Sequence, residues 1–442
     1  MRVLFGTDGI RGKARQYPLD EATMFAMGEA LAHRLKAHAP RPRVYLGMDT
    51  RESGPEIARA LAAGLAHGGG EGVFIGVIPT PGVAYLCRTI DDAAAGISIS
   101  ASHNPFEDNG VKIFGHDGMK LPDSDEEQIE DELRAIRRDE VSVSDEPLRE
   151  HPELVELYEK FLLSDVSLHG KRVVIDAGHG AAYRIGPEVF RRAGAEVIVI
   201  NDRPTGRNIN EGSGALHPEG LAKVVVEQKA DFGVAFDGDA DRAIFADDAG
   251  RIRDGDEIIY LWAHHLKRDD ALKNDAVVTT VMSNFGFEKK LQADGIELLR
   301  AQVGDKYVLE LMLTRGAILG GEQSGHIIDL TVHTTGDGIH TALVFGELLA
   351  ASPKPFSQLE TFHPMPQLLL NQKVGSKPAL DSLPRYQAAH KQALEDLGGK
   401  GRILVRYSGT ENLVRVMVEG EDDAQIRRIA EDLRAVLQDE IG

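Results

Sequence analysis

Between residues 43 and 349 the chain alternates short apolar runs with stretches of helical period, and few folds accommodate that pattern. Strands are expected at 43–47, 72–78, 172–176, 196–200, 231–236, 276–280, 297–301 and 317–319. Before and between them, apolar positions recur at helical spacing: Met24, Met27, Leu31 and Leu35 behind a capping Asp20, then Ile57, Leu61 and Leu65. Further helices are expected over 181–193, 218–229 and 336–349, through Ile258, Ile259 and Trp262, and from Asn284. Such alternation builds α/β sheets with helices packed on their faces. A strand at 3–5 is expected to lead into the glycine-rich loop 6–12, and Pro79-Thr-Pro81 reads as a stop.

Two stretches interrupt the rhythm. Residues 139–152 are acidic and marked by Pro147 and Pro152, and residues 352–365 carry Pro353, Pro355 and Pro364. Beyond the second, the order strand, helix, strand (402–407), strand (413–419), helix reads as a smaller α+β domain. At 442 residues the chain has room for roughly three or four domains of ordinary size. The expected boundaries are 1–152, 153–252, 253–363 and 364–442. The rhythm repeats across the first three units, but no repeat in the sequence itself accompanies it.

A net charge of −20 argues against nucleic acid or an anionic membrane surface as the main partner. Cys87 is the single cysteine, which excludes an intramolecular disulfide and a cysteine zinc site. The first residues lack a signal-peptide apolar core and no run approaches transmembrane length, so a cytoplasmic protein is expected.

Four stretches carry groups suited to chemistry. In Gly96-Ile-Ser-Ile-Ser-Ala-Ser-His-Asn-Pro105, Ser98, Ser100 and Ser102 share one face of a strand. Pro105 ends that strand, so Ser102 is expected at its end as an exposed hydroxyl beside His103 and Asn104, able to act as a nucleophile or carry a covalent group. Taken alone, the stretch is equally a polar turn closing a strand. In Asp237-Gly-Asp-Ala-Asp-Arg242, three carboxylates at alternate positions follow an apolar strand and can converge on one hard cation, with magnesium favoured. An EF-hand is excluded, because Arg242 stands where that loop needs glycine and Asp248 where it needs glutamate. An aspartyl-nucleophile phosphatase loop would carry a threonine after the aspartates, which is absent here; a solvated acidic turn is the remaining plain reading.

Arg406-Tyr-Ser-Gly-Thr-Glu-Asn-Leu-Val-Arg415 offers the hydroxyls of Ser408 and Thr410, close backbone approach at Gly409, and the forked cations Arg406 and Arg415. That is a phosphate cradle, and a plain hairpin turn gives no reason for the arginines. Gly320-Gly-Glu-Gln-Ser-Gly-His326 presents Glu322, Ser324 and His326 from a tight loop to a polyhydroxylated ligand, or is a glycine turn with solvated side chains. Arg11, Lys112, Lys306 and His326 are candidates for acid/base or charge-balancing work.

These four stretches, in this order, resemble the α-D-phosphohexomutase superfamily. Its pattern is a phosphoserine loop, an Asp-Gly-Asp-x-Asp-Arg metal loop, a Gly-Glu-x-Ser-Gly-His sugar loop and an Arg-x-Ser-Gly-Thr-Glu phosphate loop. The likeness runs from Phe5 to about Glu419 and takes in the stretches 5–12, 281–284, 303–308 and 335–338. It is nearest to the bacterial branch acting on glucosamine phosphates. Gln323 stands where relatives acting on glucose and mannose phosphates usually carry methionine. Two departures are Asn412, where proline is common, and Lys306, where arginine is usual. The first leaves the loop less pre-set, and the second keeps the charge but loses the bidentate fork.

The resemblance implies three similar α/β domains and a smaller C-terminal α+β domain around a central cleft; because a bisphosphate must reorient without escaping, the last domain is expected to act as a lid. It implies that Ser102 is a phosphoserine, with one Mg²⁺ per chain held by Ser102, Asp237, Asp239 and Asp241. It makes Arg242, Glu322, Ser324, Arg406, Ser408, Gly409, Thr410 and Arg415 substrate-binding, and Lys112, His326 and Arg11 catalytic. The implied reaction interconverts glucosamine 6-phosphate and glucosamine 1-phosphate through a hexosamine 1,6-bisphosphate, which also serves as activator. A phosphosugar is then the small-molecule partner, with room for a homodimer. Alternatives are a phosphoglucomutase or phosphomannomutase of the same superfamily, a Mg²⁺-dependent sugar phosphatase, or a phosphosugar-binding protein.

Overall fold

The computed structural model describes residues 4–6, 8–37, 39–136, 143–164, 166–408 and 412–442. The chain divides into two compact units, one made of Met1–Thr280 with Leu299–Glu360, the other of Val281–Leu298 with Thr361–Gly442. Among the described residues, four sheets follow one another along the chain.

The first sheet holds β1 (Ile10–Lys13), β2 (Arg43–Met48), β3 (Glu71–Val77), β4 (Ala93–Ile99) and β5 (Asp108–Gly115), ordered β1-β5-β4-β2-β3. β2, β3 and β4 are parallel, while β5 runs antiparallel to β4 and β1 antiparallel to β5. The second sheet holds β6 (Arg172–Asp176), β7 (Glu196–Ile200), β8 (Phe232–Phe236), β9 (Ala243–Asp247) and β10 (Ile252–Arg253). Its order β10-β9-β8-β6-β7 repeats that of the first, with parallel pairs β6·β7 and β6·β8 and antiparallel β8·β9 and β9·β10. The third holds β11 (Ala276–Thr280), β12 (Glu297–Ala301), β13 (Leu319–Gly321) and β14 (Ile327–Asp329), ordered β12-β11-β13-β14, with β11·β13 parallel and β13·β14 antiparallel. The repeat missing from the sequence is therefore present in the strand order: a third parallel strand, a loop, and an antiparallel return.

The strands β2, β6 and β8 are buried along nearly their whole length, as parallel sheets covered on both faces require. In the first sheet Val44, Leu46, Ile97, Ile99, Val111 and Ile113 are buried against Met24, Met27, Leu31, Ile57, Leu61 and Leu65 of the helices Glu21–Leu35 and Gly54–His67. Asp20 caps the first of these by accepting from the Thr23 N–H at 3.0 Å. The second unit contains β15 (Gln367–Lys373), β16 (Gly401–Tyr407) and β17 (Leu413–Gly420), an antiparallel sheet ordered β15-β17-β16 and backed by helices Pro384–Leu397 and Asp423–Ile441.

Several sequence expectations need correction. Leu4 and Phe5 form no strand, and Val3 lies outside the described residues; β1 begins only at Ile10. Pro79-Thr-Pro81 does not merely stop a strand, since it opens the helix Thr80–Thr89, with Pro81 in the first turn where its missing N–H costs nothing. Helices Asp123–Ala135 and Asp305–Arg315 and strands β5, β9 and β14 were not anticipated. The strand expected at 317–319 runs instead over Leu319–Gly321. Of the expected boundary at 139–152, residues 139–142 lie outside the described ones, and Pro152 begins a helix to Leu162. Among the described residues no helix is long and apolar enough to cross a membrane.

Candidate active site

The loop between β4 and β5 carries Ser102 at φ 54°, a left-handed conformation that costs a residue with a β-carbon about 1–3 kcal/mol unless its surroundings hold it. They do hold it. Ser102 N–H donates to Ser100 Oγ at 2.8 Å, and Ser100 Oγ donates to the buried Asp49 at 2.6 Å. The Ser102 hydroxyl then donates to Asp237 Oδ2 at 2.6 Å and stands 3.3 Å from His103 Nδ1. The hydroxyl expected to be exposed is thus buried, with the residue only 1% accessible. The loop after β8 closes over it.

That loop follows β8 directly and brings Asp237, Asp239 and Asp241 together, with one oxygen of each within 4.8 Å of the others and all three buried. A Cβ on Gly238 would lie 2.4 Å from Ser102 O, so only glycine lets the two loops abut. Asp239 Oδ2 accepts from Thr80 Oγ1 at 2.6 Å and from Lys112 Nζ at 3.0 Å. Burial, then Asp241 and Asp239 beside it, push the Asp237 carboxyl well above its usual range. Asp239 Oδ1 and Asp241 Oδ1 are buried without a hydrogen-bond partner. Converging carboxylates with spare oxygens are the donor set of a hard divalent cation, so the residues fit magnesium.

Lys112 lies directly opposite Ser98 across β4 and β5, which aims it at the same place. Its Nζ reaches Asp239 at 3.0 Å, Asp241 at 3.1 Å and Asp8 at 3.3 Å, and the residue is 2% accessible. Burial alone would lower its pKa, but Asp239, Asp241 and Asp8 outweigh burial and hold it well above the ordinary value. Asp8 also pairs with Arg11 and Lys120, and Lys120 with Asp305. For Asp8 burial is overcome in turn by Lys112, Lys120 and Arg11, which keep it ionised.

A cavity of about 380 Å³ opens over these groups, lined among others by Asp8, Arg11, His103, Arg242, Glu322 and His326. Arg242 stands between Asp241, 3.7 Å from its Nε, and His103 Nδ1, 3.3 Å from Nη1. Burial, then Arg242 and Arg11, lower the His103 pKa to about 4. His326 lies 3.7 Å from Asp241 and 3.7 Å from Asp305, and its Nε2 accepts from the Gly336 N–H at 3.0 Å. That acceptor bond sets the neutral ring with its proton on Nδ1 toward Asp241. Burial opposes a charged ring, while Asp241 and Asp305 outweigh it and raise the pKa. Glu322 Oε1 accepts from the Gly304 N–H at 3.2 Å and leaves its edge on the cavity.

Gln323, Ser324 and Lys306 are not among the residues lining this cavity. Gln323 turns away from the cavity lining, and its Nε2 donates to Asp254 Oδ2 at 3.0 Å, on the residue that caps helix Gly255–Arg268. Ser324 is exposed, with its hydroxyl 3.4 Å from Glu322 Oε2. Lys306 pairs with Asp123.

In the second unit Arg406 and Arg415 stand directly opposite each other on β16 and β17. Burial, and after it Arg415, lower the Arg406 pKa. Ser408 N–H donates to Leu413 O at 2.8 Å, and Ser408 O accepts from Lys377 Nζ at 2.8 Å. Gly409 and Thr410 lie outside the described residues.

Models of phosphoglucomutase/phosphomannomutase alpha/beta/alpha domains I, II and III match residues 2–140, 154–250 and 254–364, and the model of the C-terminal domain matches 369–436. The chain belongs to the phosphoglucomutase/phosphomannomutase family. It is 48% identical to phosphoglucosamine mutase of Solibacter usitatus over 99% of both chains. It is 47% identical to that of Symbiobacterium thermophilum over 100% of both. A phosphoglucomutase/phosphomannomutase family protein from Burkholderia thailandensis has the same fold, with a TM-score of 0.79 at 23% identity over 100% of this chain and 98% of that one. So does Aspergillus fumigatus N-acetylphosphoglucosamine mutase, whose solved complex holds GlcNAc-6P and magnesium, with a TM-score of 0.68 at 19% identity over 99% of this chain and 96% of that one.

Within this family fold, reasoning from sequence had missed Asp8, Thr80, Lys120, Asp305 and Lys377 as members or neighbours of the sites. Asp8 and Asp305 lay inside stretches already singled out, 5–12 and 303–308, where a carboxylate beside glycine is a readable sign. Thr80, Lys120 and Lys377 carried no local signal, because each reaches its partner only through tertiary folding.

Proposed function

We propose that the chain is a phosphoglucosamine mutase, interconverting glucosamine 6-phosphate and glucosamine 1-phosphate with Ser102 as the phosphoryl carrier. The observation that carries the reading is the Ser102 hydroxyl, 2.6 Å from Asp237 at the meeting point of three buried aspartates and Lys112. A merely structural serine gives no reason for carboxylates with unused oxygens around it. The choice of glucosamine phosphate rests on the relatives, named phosphoglucosamine mutase at 42–48% identity over nearly the whole chain.

Phosphoryl transfer asks mainly for in-line placement and stabilisation of charge. The free sugar hydroxyl attacks the phosphorus of phosphoserine 102, the bond from phosphorus to Oγ breaks, and glucosamine 1,6-bisphosphate is formed. After the intermediate turns over, Oγ attacks the other phosphate and the second monophosphate leaves. Asp237, Asp239, Asp241 and a phosphoryl oxygen on Ser102 would hold Mg²⁺, which when bound supplies positive charge to the transferring group. Lys112 donates to Asp239 and Asp241 and pairs with Asp8 at 3.3 Å, which suits it to balancing charge. Arg11 and Arg242 line the cavity as cations for the phosphosugar, Glu322 accepts from its hydroxyls, and His326 reaches it beside Asp241. The Arg406–Arg415 hairpin, with Ser408, Gly409 and Thr410, takes the phosphate that does not react, the two arginines supplying forked cations.

The test is mass spectrometry of the Ser102 peptide coupled to a glucosamine-phosphate isomer assay on wild type and Ser102→Ala. Phosphate on Ser102 with isomerisation lost in the variant is the expected result. Full activity in the variant sinks the mutase reading, and release of inorganic phosphate in place of isomer points to a phosphatase.

A further inference from the structure

All five N–H donors of the Arg51 guanidinium are committed, and four of the bonds end on backbone carbonyls of the Ser102 loop and the start of β5. Nε donates to Asp49 Oδ2 at 2.9 Å. Nη1 donates to Asp108 O at 3.0 Å and to Pro105 O. Nη2 donates to Ser102 O at 2.8 Å and Asn104 O at 2.8 Å. The side chain is 0% accessible. Asn210, from the segment between β7 and β8, places Nδ2 on two of the same carbonyls, 2.9 Å from Ser102 O and 3.2 Å from Asn104 O. Asn210 is itself fixed, its N–H donating to Gly178 O at 2.8 Å. Neither side chain lines the cavity.

We infer that Arg51 and Asn210 are positioning residues that aim Ser102, gripping its carbonyl from the first and second sheets at once. The inference rests on Ser102 being the phosphoryl carrier. A residue at φ 54° keeps that geometry only while its neighbours over-determine it. Its carbonyl is where they do so. With that oxygen pinned on two sides, the Cα–Cβ bond has one direction, and Oγ meets the aspartates of the second sheet. Asn210 also ties the second sheet to the Ser102 loop of the first at the atoms next to the reaction, while Arg51 fixes that loop on its own sheet, so the distance from Ser102 to Asp237 is set by the grip. Losing either donor loosens the loop without removing a group that touches the sugar. The effect therefore falls on kcat and leaves KM nearly unchanged.

The experiment uses the full chain with Mg²⁺ and glucose 1,6-bisphosphate as activator. It compares wild type with Asn210→Ala, Asn210→Asp, Arg51→Lys and Arg51→Met in steady-state isomerisation of glucosamine phosphate, Ser102 phosphorylation by mass spectrometry, and thermal midpoint. Asn210→Ala is expected to lower kcat roughly tenfold or more with KM within about twofold, because small misplacements at the reacting group are amplified in rate. Asn210→Asp falls further, since a carboxylate then faces two carbonyl oxygens. Arg51→Lys, with three donors in place of five, retains more kcat than Arg51→Met at equal folded fraction. Wild-type kcat in Asn210→Ala, or KM rising in step with the loss of kcat, overturns the inference. Should Asn210→Ala fail to fold, Arg51→Lys decides by the same split: unchanged kcat overturns, lowered kcat at unchanged KM supports. A wild-type protein that neither isomerises the sugar phosphate nor carries phosphate on Ser102 overturns the mutase reading itself.

Discussion

The loop after β4 and the loop after β8 leave corresponding strands of two sheets with the same strand order, and each contains one residue in a left-handed conformation, Ser102 and Ala240, both at φ 54°. What they present differs completely. The first offers one hydroxyl, and its backbone is gripped by side chains, Arg51 and Asn210 on its carbonyls and Ser100 on its N–H. The second offers three carboxylates, and its backbone is gripped by other backbones: Ala181 N–H on Gly238 O at 2.8 Å, Thr80 N–H on Asp239 O at 3.0 Å, Gly338 N–H on Ala240 O at 3.0 Å. The third sheet repeats the plan, with Glu322 and His326 in the loop between β13 and β14. Topology supplies the place and side chains supply the chemistry. The serine loop carries no charge of its own to balance at Ser102, whereas the aspartate loop gathers three carboxylates that suit a cation.

That contrast can be broken or sharpened by substitution. Lys112→Met has the largest expected effect on stability, since it leaves Asp239, Asp241 and Asp8 without their shared buried cation. Removing one partner of a buried ion cluster costs roughly 3–5 kcal/mol. The thermal midpoint of chelator-treated protein should fall by several degrees and recover in part with Mg²⁺; an unchanged midpoint would mean that the carboxylates do not depend on Lys112.

A smaller effect, with a change of sign, separates the two loops. Ser102→Ala loses the hydrogen bond to Asp237 and should lower the metal-free midpoint by about 1 kcal/mol in stability terms. Asp237→Asn relieves repulsion from Asp241 and Asp239 and should match or exceed wild type without metal. On adding Mg²⁺ the order of wild type and Asp237→Asn reverses, because that variant has lost one of the three carboxylates and gains less binding energy. Calorimetric scans with and without chelator give both signs, and a metal-free Asp237→Asn protein less stable than Ser102→Ala contradicts the comparison.

The smallest effect concerns Gln323. Its side chain bonds Asp254 and stays off the cavity lining, so Gln323→Met should change the relative kcat/KM for glucosamine and glucose phosphates by no more than about threefold, or ~0.7 kcal/mol. A switch in preference on that substitution would show that the residue reads the sugar directly.

The sequence alone determined the strand–helix alternation, the Asp20 cap, the aspartate loop behind an apolar strand, and the serine at a strand's end. Each of these is written in local spacing, in the period of apolar residues or in one residue's backbone preference. It also carried the family likeness through four separated loops. Tertiary structure decided the rest. Ser102 is buried because a loop more than a hundred residues away folds over it, and Gln323 leaves the cavity for a helix cap. Lys112, Thr80 and Asn210 acquire their roles only from partners in another sheet. The strand order common to the first two sheets left no readable sequence repeat, because many apolar residues can fill equivalent core positions while the backbone arrangement stays the same. Local pattern fixes what a segment is; which segments meet is set by long-range packing, and there the site is made.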